Sequence, residues 1–397
     1  MPNQFLSPEG DLENYFVTEY QLIDQYIGDE LWTWGQGSEG QLGTNDTTNR
    51  LTPVTTSAGG TNWKQVSSGG YRHCAAIKTD GTLWTWGRGT EGQLGGNTAT
   101  NKSTPVTTFA GGTNWKQVSA GKFHCAAIKT DGTLWTWGSG TSGQLGTNDT
   151  TNKSTPVTTF VGGTNWKQVS SGGYHCAAIK TDGTLWTWGG GFNEQLGRSN
   201  ANAYRLTPVT TFAGGTNWAD TPTAEPEDLY TISASEQTAA IKTDGTLWTW
   251  GVGGDGRLGV NDNTTRNTPV TTFAGGTNWK QVSGGRLHSA AIKTDGTLWT
   301  WGAGYAGKLG TNDTANRVTP VTTFAGGTNW KQVSSGDRHC AAIKTDGTLW
   351  TWGGGFNAQL GINQYTNKST PVTTFAGGTN WKQVSSGGYH CAAIKTD

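Results

Sequence analysis

The sequence predicts an all-β protein: a seven-bladed β-propeller closed by pairing of its N- and C-terminal strands, with a short N-terminal helical arm. Three observations predict this fold. The phrase LWTWG occurs seven times and TNW follows each copy, so that these phrases hold all 21 tryptophans. Successive copies lie 51 or 52 residues apart, with one spacing of 62, and such a period indicates a repeat architecture. The two ends of the chain supply the two halves of one repeat.

Each repeat is predicted to form four short antiparallel strands. AAIKTDGTLWTWG contains two strands around Asp-Gly, which is a strong hairpin signal. NWKQVS is a third strand, and TPVTT is a fourth whose proline indicates a sheet edge or a strand start. The alternation in LWTWG places both tryptophans on one face of the sheet. No segment between residues 31 and 397 shows a helical period.

Closure of the ring follows from the ends of the sequence. The first LWTWG begins at Leu31 without a preceding AAIKTD, and the chain stops at Asp397 directly after an AAIKTD. Pairing these two halves completes seven blades and leaves no open sheet edge. Large aromatic side chains between the blades supply the core that the sparse aliphatic residues do not. We therefore expect an arm over residues 1–30 and a propeller over residues 31–397.

The charge distribution excludes several classes of protein. Residues 1–30 hold seven acids and no lysine or arginine, so the remaining 28 cations and 21 acids give the body a net charge of +7. This charge is too sparse for a dedicated nucleic-acid binder, and nucleic acid is not an expected partner. No apolar run long enough to span a membrane occurs, and the N-terminus lacks a signal-peptide pattern.

The N-terminal arm is predicted to form an amphipathic helix. Leu12 and the candidate anchor residues Phe16, Tyr20, Ile23 and Ile27 recur at helical spacing. A helix with this many apolar residues needs an apolar partner. It either lies on the propeller, with its acids facing the basic residues of the propeller, or anchors the disc to a larger assembly.

The repeats resemble those of the regulator of chromosome condensation repeat family. WGSGTSGQLGTND (residues 137–149) is similar to the family segment G-x-N-x-x-G-Q-L-G, and VSGGRLHSAAI (residues 282–292) fits the second signature, with His288 at the family's histidine position. The resemblance covers residues 31–397 and implies a seven-bladed propeller. The founding member exchanges nucleotide on a small nuclear GTPase and binds chromatin, whereas other members act as scaffolds, ubiquitin-ligase parts or photoreceptors.

The sequence departs from the eukaryotic members of that family. Its copies are nearly identical, and it has neither an insertion like the wedge of the exchange factor nor a basic tail. Such uniform copies resemble bacterial and viral members. The segment DLENYFVTEYQLIDQYIG (residues 11–28) resembles a segment that precedes such repeats in marine bacteriophage proteins.

The histidines and cysteines occupy two adjacent repeat positions. A ring of metal ligands or nucleophiles is one interpretation of this pattern. However, adjacent strand residues point to opposite faces, so a histidine cannot share a metal with its neighbouring cysteine. Ser289 replaces cysteine in one copy, as suits a small buried residue. Because no acid–base set accompanies these residues, we predict no catalytic residue, no metal site and no cofactor.

The copies differ mainly in two short segments, the residues after WG and the residues before the histidine. Aromatic and cationic residues enter these segments, and binding surfaces are enriched in such residues. We predict that these loops line one face of the disc and recognise a partner, and tolerated turn variation is the alternative. The candidate partner-binding residues are Arg72, Arg88, Phe123, Tyr174, Phe192, Arg286, Tyr305, Arg338, Phe356 and Tyr389.

One repeat is longer than the others by about ten residues. ADTPTAEPEDLYTISASEQT (residues 219–238) replaces the usual lysine, histidine and cysteine, and it brings the acids Glu225, Glu227 and Asp228. This blade has either decayed or become specialised. A specialised acidic loop would dock a partner protein or the next subunit of a homo-oligomer, so these three acids are also candidate partner-binding residues.

The first hypothesis is a non-enzymatic structural or binding module located in a bacteriophage virion. Such a tail, fibre or capsid-surface component would contact other virion proteins or a host-surface ligand. The alternative is a cytoplasmic protein-interaction scaffold or a small-GTPase regulator of the chromosome-condensation type. A glycan-binding lectin is the third hypothesis, although the tryptophans are expected to serve blade packing.

Overall fold

The computed structural model describes residues 28–198, 204–218 and 231–396, and it has the predicted all-β architecture. Within these residues, 28 strands form seven four-stranded antiparallel sheets. The sheets are the blades of a closed propeller, and each blade contributes one strand to each of four concentric positions.

The bounds of the strands are given from the central channel outward. The innermost strands are β3 (Trp63–Ser68), β7 (Trp115–Ala120), β11 (Trp166–Ser171), β15 (Ile232–Ala234), β19 (Trp279–Gly284), β23 (Trp330–Ser335) and β27 (Trp381–Ser386). The second strands are β4 (His73–Lys78), β8 (His124–Lys129), β12 (His175–Lys180), β16 (Gln237–Ile241), β20 (His288–Lys293), β24 (His339–Lys344) and β28 (His390–Thr396).

The two outer positions contain the remaining strands. The third strands are β1 (Asp29–Gly35), β5 (Leu83–Gly87), β9 (Leu134–Gly138), β13 (Leu185–Gly189), β17 (Leu247–Gly251), β21 (Leu298–Gly302) and β25 (Leu349–Gly353). The outermost strands are β2 (Arg50–Thr55), β6 (Lys102–Thr107), β10 (Lys153–Thr158), β14 (Arg205–Thr210), β18 (Arg266–Thr271), β22 (Arg317–Thr322) and β26 (Lys368–Thr373). Blade 1 combines β27, β28, β1 and β2, and blades 2 to 7 follow in chain order.

Blade 1 closes the ring as the sequence predicts. Strand β1 pairs with β28 in antiparallel register from Asp29↔Thr396 to Gly35↔His390. The indole N–H of Trp34 also donates to the carbonyl oxygen of Gln359 in the preceding blade, at 2.9 Å. Strand β1 begins at Asp29, so the first blade includes two residues before Leu31.

The hydrophobic core lies between adjacent blades, where the predicted tryptophan packing is confirmed. Between blades 2 and 3, Ile77 of one sheet packs with Trp115 and Trp137 of the other. The Trp115 ring meets the rings of Trp135 and Trp137 edge-on, with centroids 6.0 and 6.3 Å apart. This geometry is favourable for aromatic pairs beyond the area that they bury.

Side chains of the innermost strands bind each blade to the next. The amide oxygen of Gln65 accepts a hydrogen bond from the Val118 N–H at 2.9 Å, and the Ser67 hydroxyl oxygen accepts one from the Ala120 N–H at 2.9 Å. Gln383 makes the same bond to Val66 across the junction of blades 1 and 2, at 2.8 Å. These bonds fix the position of each sheet along the channel axis.

Helical structure is minimal in the part of the chain that the structure describes. Two three-residue 3₁₀ turns occur, at Gly254–Gly256 and Tyr305–Gly307. No helix in that part is long and apolar enough to cross a membrane. The predicted helical arm, with Phe16, Tyr20, Ile23 and Ile27, falls outside the described residues.

The strand order gives the disc two different faces. The loops from first to second strand and from third to fourth strand leave at one end of each blade, because neighbouring strands are antiparallel. The TDG hairpins and the connections to the next blade leave at the other end. We call the first the variable face, because both variable segments of the repeat lie there, and the second the hairpin face.

Candidate functional site

The two variable segments of each repeat are directly bonded on the variable face. In blade 2 the Arg88 N–H donates to the Arg72 carbonyl at 2.8 Å, and in blade 3 the Ser139 N–H donates to the Phe123 carbonyl at 2.9 Å. The same bond recurs in blades 1, 4, 6 and 7. The residue before the histidine and the residue after WG therefore form one composite surface.

Blades 2 to 4 carry a row of three aromatic rings on this face. The ring centroids of Tyr71 and Phe123 lie 4.9 Å apart, and those of Phe123 and Tyr174 lie 5.8 Å apart. The Arg88 guanidinium lies 4.7 Å from the Tyr71 centroid. The Lys122 ammonium lies 5.5 Å from Phe123 and 5.3 Å from Tyr174. We call these three rings, with their cations, the aromatic sector.

The two arginines of blade 2 are also paired with acids, Arg72 with one from the loop of blade 1 and Arg88 with one from its own loop. Arg72 lies 3.2 Å from a carboxylate oxygen of Glu39, and Arg88 lies 3.8 Å from one of Glu91. Such partly exposed pairs contribute little stability, so the guanidinium groups can exchange these acids for others. Arg72 has a φ of 66°, a left-handed conformation that costs a non-glycine residue about 1–2 kcal/mol.

Blades 6 and 7 carry a charged surface instead. Arg286 and Arg338 are exposed there, and the Arg338 guanidinium lies 5.6 Å from the Tyr389 centroid. Burial raises the pKa of the Tyr305 hydroxyl, and the positive charges of Arg338 and Arg286 oppose this rise. Arg286 and Arg338 thus both lie within electrostatic reach of Tyr305, and we call these three residues the charged sector.

The other candidate residues lie on the rim or outside the described residues. Phe192 packs edge-on against Tyr204 at 4.6 Å, and Phe356 is 69% exposed. The acids Glu225, Glu227 and Asp228 belong to residues 219–230, which the structure does not describe. Their predicted role in binding a partner stays a prediction.

Of four charged residues around the mouth of the central channel, sequence analysis named Arg286 as a candidate and missed Lys122, Glu236 and Asp337. A cavity of about 160 Å³ is lined there by Lys122, Glu236, Arg286 and Asp337. Burial raises the pKa of Asp337, against the opposing charges of Arg286 and Lys122. The signal available in the sequence is that three other copies carry glycine at the repeat position that Lys122, Glu236, Arg286 and Asp337 share. A charged residue at that position therefore stands out.

A second feature that sequence analysis missed lies on the hairpin face. One loop of each blade carries a phenylalanine that is 64–67% exposed, except that Ser57 replaces it at the junction of blades 1 and 2. These residues are constant between copies, so a comparison of the differences between copies does not reveal them. The set is Phe109, Phe160, Phe212, Phe273, Phe324 and Phe375.

The histidines and cysteines form contacts between blades. The His124 Nε2 atom lies 3.1 Å from the Cys176 sulfur of the next blade, whereas Cys125 is contacted by His73 of the preceding blade at 3.4 Å. Each histidine and its neighbouring cysteine thus point in opposite directions, as predicted. In blade 5 Gln237 occupies the histidine position and Thr238 the cysteine position. The Gln237 amide donates a hydrogen bond to the Ser289 hydroxyl at 3.0 Å.

Burial keeps both partners of these contacts neutral. Desolvation lowers the pKa of His73 to about 4 and of His124 to about 3. It raises the pKa of the Cys74 and Cys176 thiols to about 12. Neither a thiolate nucleophile nor an imidazolium acid forms at neutral pH. Within the described residues, no group of three or more His, Cys, Asp or Glu side chains is placed to hold a metal ion.

The tryptophans serve blade packing. All 21 lie in the described residues, and every one is buried or half-buried. The lectin hypothesis is motivated by propellers with repeated tryptophans that recognise sugars. Such recognition would need exposed indole rings. The exposed aromatic residues here are phenylalanine and tyrosine instead.

Comparison with protein families identifies the repeats. Six segments match the model of the Regulator of chromosome condensation (RCC1) repeat: residues 29–77, 80–128, 131–179, 244–292, 295–343 and 346–394. A second model of this repeat matches residues 63–93, 115–144, 166–195, 279–308 and 330–359. The first model leaves out residues 180–243, which hold the divergent segment of blade 5.

Individual relatives match most of this chain in sequence. The chain is 30% identical to the Ultraviolet-B receptor UVR8 of Arabidopsis thaliana over 351 residues, covering 87% of this chain and 77% of the receptor. It is 27% identical to the Regulator of chromosome condensation of Xenopus laevis over 391 residues, covering 93% and 90% of the two chains. It is also 28% identical to the X-linked retinitis pigmentosa GTPase regulator homolog of Caenorhabditis elegans over 300 residues, which cover 74% of this chain and 20% of that protein.

Solved structures agree with the fold. The structure is similar to Prp20p of Saccharomyces cerevisiae with a TM-score of 0.78 and 19% identity, covering 93% of this chain and 92% of the other. It is similar to human WBSCR16 with a TM-score of 0.76 and 18% identity, covering 93% and 99%. From the matched repeats and the closed ring of seven blades, the chain belongs to the regulator of chromosome condensation (RCC1) repeat family.

Proposed function

We propose that this chain is a non-catalytic protein-binding module, a scaffold or regulator of the chromosome-condensation type, which recognises its partner with the variable face. One observation carries the proposal: repeats that are otherwise nearly identical differ mainly where their loops meet on that face. The aromatic and charged sectors supply the tyrosine, phenylalanine and arginine side chains in which protein interfaces are enriched.

The buried His–Cys contacts support a role without catalysis. The functional groups that most often act as nucleophile or base are here neutral, fully buried and used between blades. The variable face exposes guanidinium and aromatic groups among its side chains, and these groups suit recognition.

The relatives support the scaffold or regulator hypothesis better than the virion hypothesis. Their names denote a receptor, a regulator of chromosome condensation and a GTPase regulator homolog. We accordingly propose, more specifically, that the partner is a small GTPase. The chain would be mixed with a small GTPase carrying a fluorescent nucleotide, and release of the nucleotide would be followed.

A location in a bacteriophage virion has no support among these relatives and stays a prediction. Imaging of purified particles with an antibody against this chain would test it.

The proposed binding face is tested by making all blades alike. A consensus-face variant carries the blade 4 segments, residues 172–174 and 189–194, at the equivalent positions of every blade. Ser57→Phe is the matched control, because it makes the hairpin-face loops alike and leaves the variable face unchanged. Partners captured from the source cells are purified, and their affinities for the three proteins are measured by calorimetry.

We expect the consensus-face variant to bind at least tenfold more weakly than the wild type and the Ser57→Phe control to bind equally well. Equal affinity of all three proteins would contradict the proposal, since the differences between copies would then be tolerated turn variation.

A further inference from the structure

Lys308 occupies a position at which five other blades use a glutamine. In those blades the glutamine amide oxygen accepts a hydrogen bond from the backbone N–H two residues earlier, at 2.7–2.8 Å. A lysine has no acceptor and cannot make this bond. Blades 5 and 6, which carry Arg257 and Lys308 here, are also the blades whose loops contain the 3₁₀ turns.

The backbone of Lys308 retains the role that the glutamines have. Its carbonyl oxygen accepts from the Trp352 indole at 2.9 Å and from the Cys340 thiol at 3.6 Å. Gln144 makes the equivalent pair of bonds with Trp188 and Cys176, at 2.9 and 3.5 Å. The fold therefore tolerates either residue, and only the side chain distinguishes this blade.

The ammonium group of Lys308 is buried without a hydrogen-bond acceptor. The residue is 0% exposed, and within the described part of the chain its Nζ atom has no hydrogen-bond partner. The group lies 3.4 Å from the centroid of the Tyr305 ring. By contrast, Arg257 donates to the Gly254 carbonyl at 2.8 Å and pairs with Asp255 at 3.3 Å.

A buried cation without an acceptor is costly, by several kcal/mol after relaxation of its surroundings. Part of this cost is avoided because desolvation lowers the pKa of Lys308 to about 7. The charges of Asp337 and Asp255 act in the opposite direction, although neither forms an ion pair with Lys308 among the described residues. An added anion would satisfy the ammonium group.

The cover over this group is exposed and carries further cations. Tyr305 is 41% exposed, so its ring separates Lys308 from solvent. The positive charges of Arg286 and Arg338 act on the Tyr305 hydroxyl, and the negative charges of Asp337 and Asp255 act on it in the opposite direction. An anion that displaces the ring would meet three cations from three neighbouring loops of the variable face.

We propose that Lys308, Arg286 and Arg338 form the binding site for a carboxylate of the partner protein, an aspartate or glutamate of an acidic segment, which enters when the Tyr305 ring turns aside. Charge complementarity identifies the occupant, since the Lys308 ammonium has no acceptor although Asp337 and Asp255 lie nearby, and the carboxylate is the acidic group of protein chains. The proposal rests on the proposed function of the variable face and names the chemistry that this face recognises.

The first experiment uses Lys308→Gln, which installs the residue of the other blades. We expect the variant to unfold at a higher temperature, because an unsatisfied buried cation is replaced by a side chain with a ready partner. We also expect it to bind the partner at least tenfold more weakly. Lys64→Gln removes the same charge from an exposed position at the hairpin-face end of β3, and it should leave both quantities unchanged.

A variant that keeps full affinity for the partner would overturn this inference. If the consensus-face variant loses affinity in the same assay, the proposed binding face still stands and only the role of Lys308 fails. If neither variant loses affinity, both proposals fail.

The second experiment needs no identified partner. The Nζ signal of Lys308 is followed by NMR in protein with isotope-labelled lysine, and it is assigned by its absence from the spectrum of Lys308→Gln. The pH is titrated at several fixed concentrations of tetraglutamate peptide. The pKa of Lys308 should rise as the peptide binds and should not change with tetraglutamine. An unchanged pKa with tetraglutamate would overturn the proposal. A rise with inorganic phosphate but not with tetraglutamate would overturn the carboxylate assignment in favour of a phosphoryl group.

Discussion

At the scale of single residues, the buried histidines are connectors between blades. Each contacts a cysteine or threonine side chain of the neighbouring sheet, such as His175 with Thr238 at 2.8 Å. These contacts require neutral imidazoles, and burial depresses the pKa of each histidine well below 6.5. Protonation therefore favours the unfolded chain.

The free energy of unfolding should consequently fall as the pH decreases below about 6.5. Above that pH both states bind no proton at these histidines, whereas between pH 6.5 and about 4 only the unfolded state binds one. Within this pH range, each such histidine lowers the free energy of unfolding by about 1.4 kcal/mol for every pH unit of decrease. Denaturant unfolding at pH 7, 6 and 5 measures the slope.

A matched variant isolates one of these groups. The double change His124→Gln and Cys176→Ser installs the pair that blades 5 and 6 already use, Gln237 with Ser289. The variant should fold, and its slope below pH 6.5 should be shallower by one histidine's contribution. Equal slopes for both proteins would show that His124 is not held neutral by the fold.

At the scale of elements, each TDG hairpin docks on the chain that enters the next blade. In blade 3 the Gly132 carbonyl accepts from the Trp166 N–H at 3.0 Å, and Gly132 has a φ of 78°. A Cβ atom at Gly132 would lie 2.1 Å from the Thr164 carbonyl oxygen. The glycine is thus needed both for the turn and for the close approach.

Two glycine substitutions separate these effects. Gly162 also has a positive φ, 59°, but a Cβ atom there would meet nothing within 4 Å. We expect Gly162→Ala to destabilise the protein by about 1 kcal/mol, the cost of the left-handed conformation. Gly132→Ala should cost about 3 kcal/mol because the backbone must also move. Chemical denaturation measures both values, and equal costs would contradict the proposed docking contact.

The strands themselves could be predicted from the sequence because their signals are local. Alternation in LWTWG, the Asp-Gly turns and the proline of TPVTT each fix one element of a repeat. The partners across blades could not be predicted, because the contact of His124 with Cys176 depends on how two sheets face each other. The sequence shows that Lys308 replaces a glutamine of other copies, but its burial depends on the packing of Tyr305 over it.

At the scale of the whole molecule, a closed ring turns seven similar repeats into two dissimilar faces. The hairpin face is nearly uniform, with one exposed phenylalanine in most blades. The variable face differs from blade to blade and divides into an aromatic sector and a charged sector. Closure was predictable because residues 31–35 and 390–396 are halves of one hairpin.

The two faces exist only if β1 pairs with β28, so a disulfide across that pair tests the account most directly. Glu30 and Lys395 are directly opposed in the register, and the cysteines at Glu30→Cys and Lys395→Cys should form a bond within one chain under mild oxidation. Because the bond closes a very long loop, it should raise the thermal midpoint, with a stabilisation of about 2–4 kcal/mol. The control combines Glu30→Cys with Lys344→Cys, the equivalent lysine of blade 7, and should form no such bond. A bond between chains only, or equal yields in both variants, would contradict the closed ring.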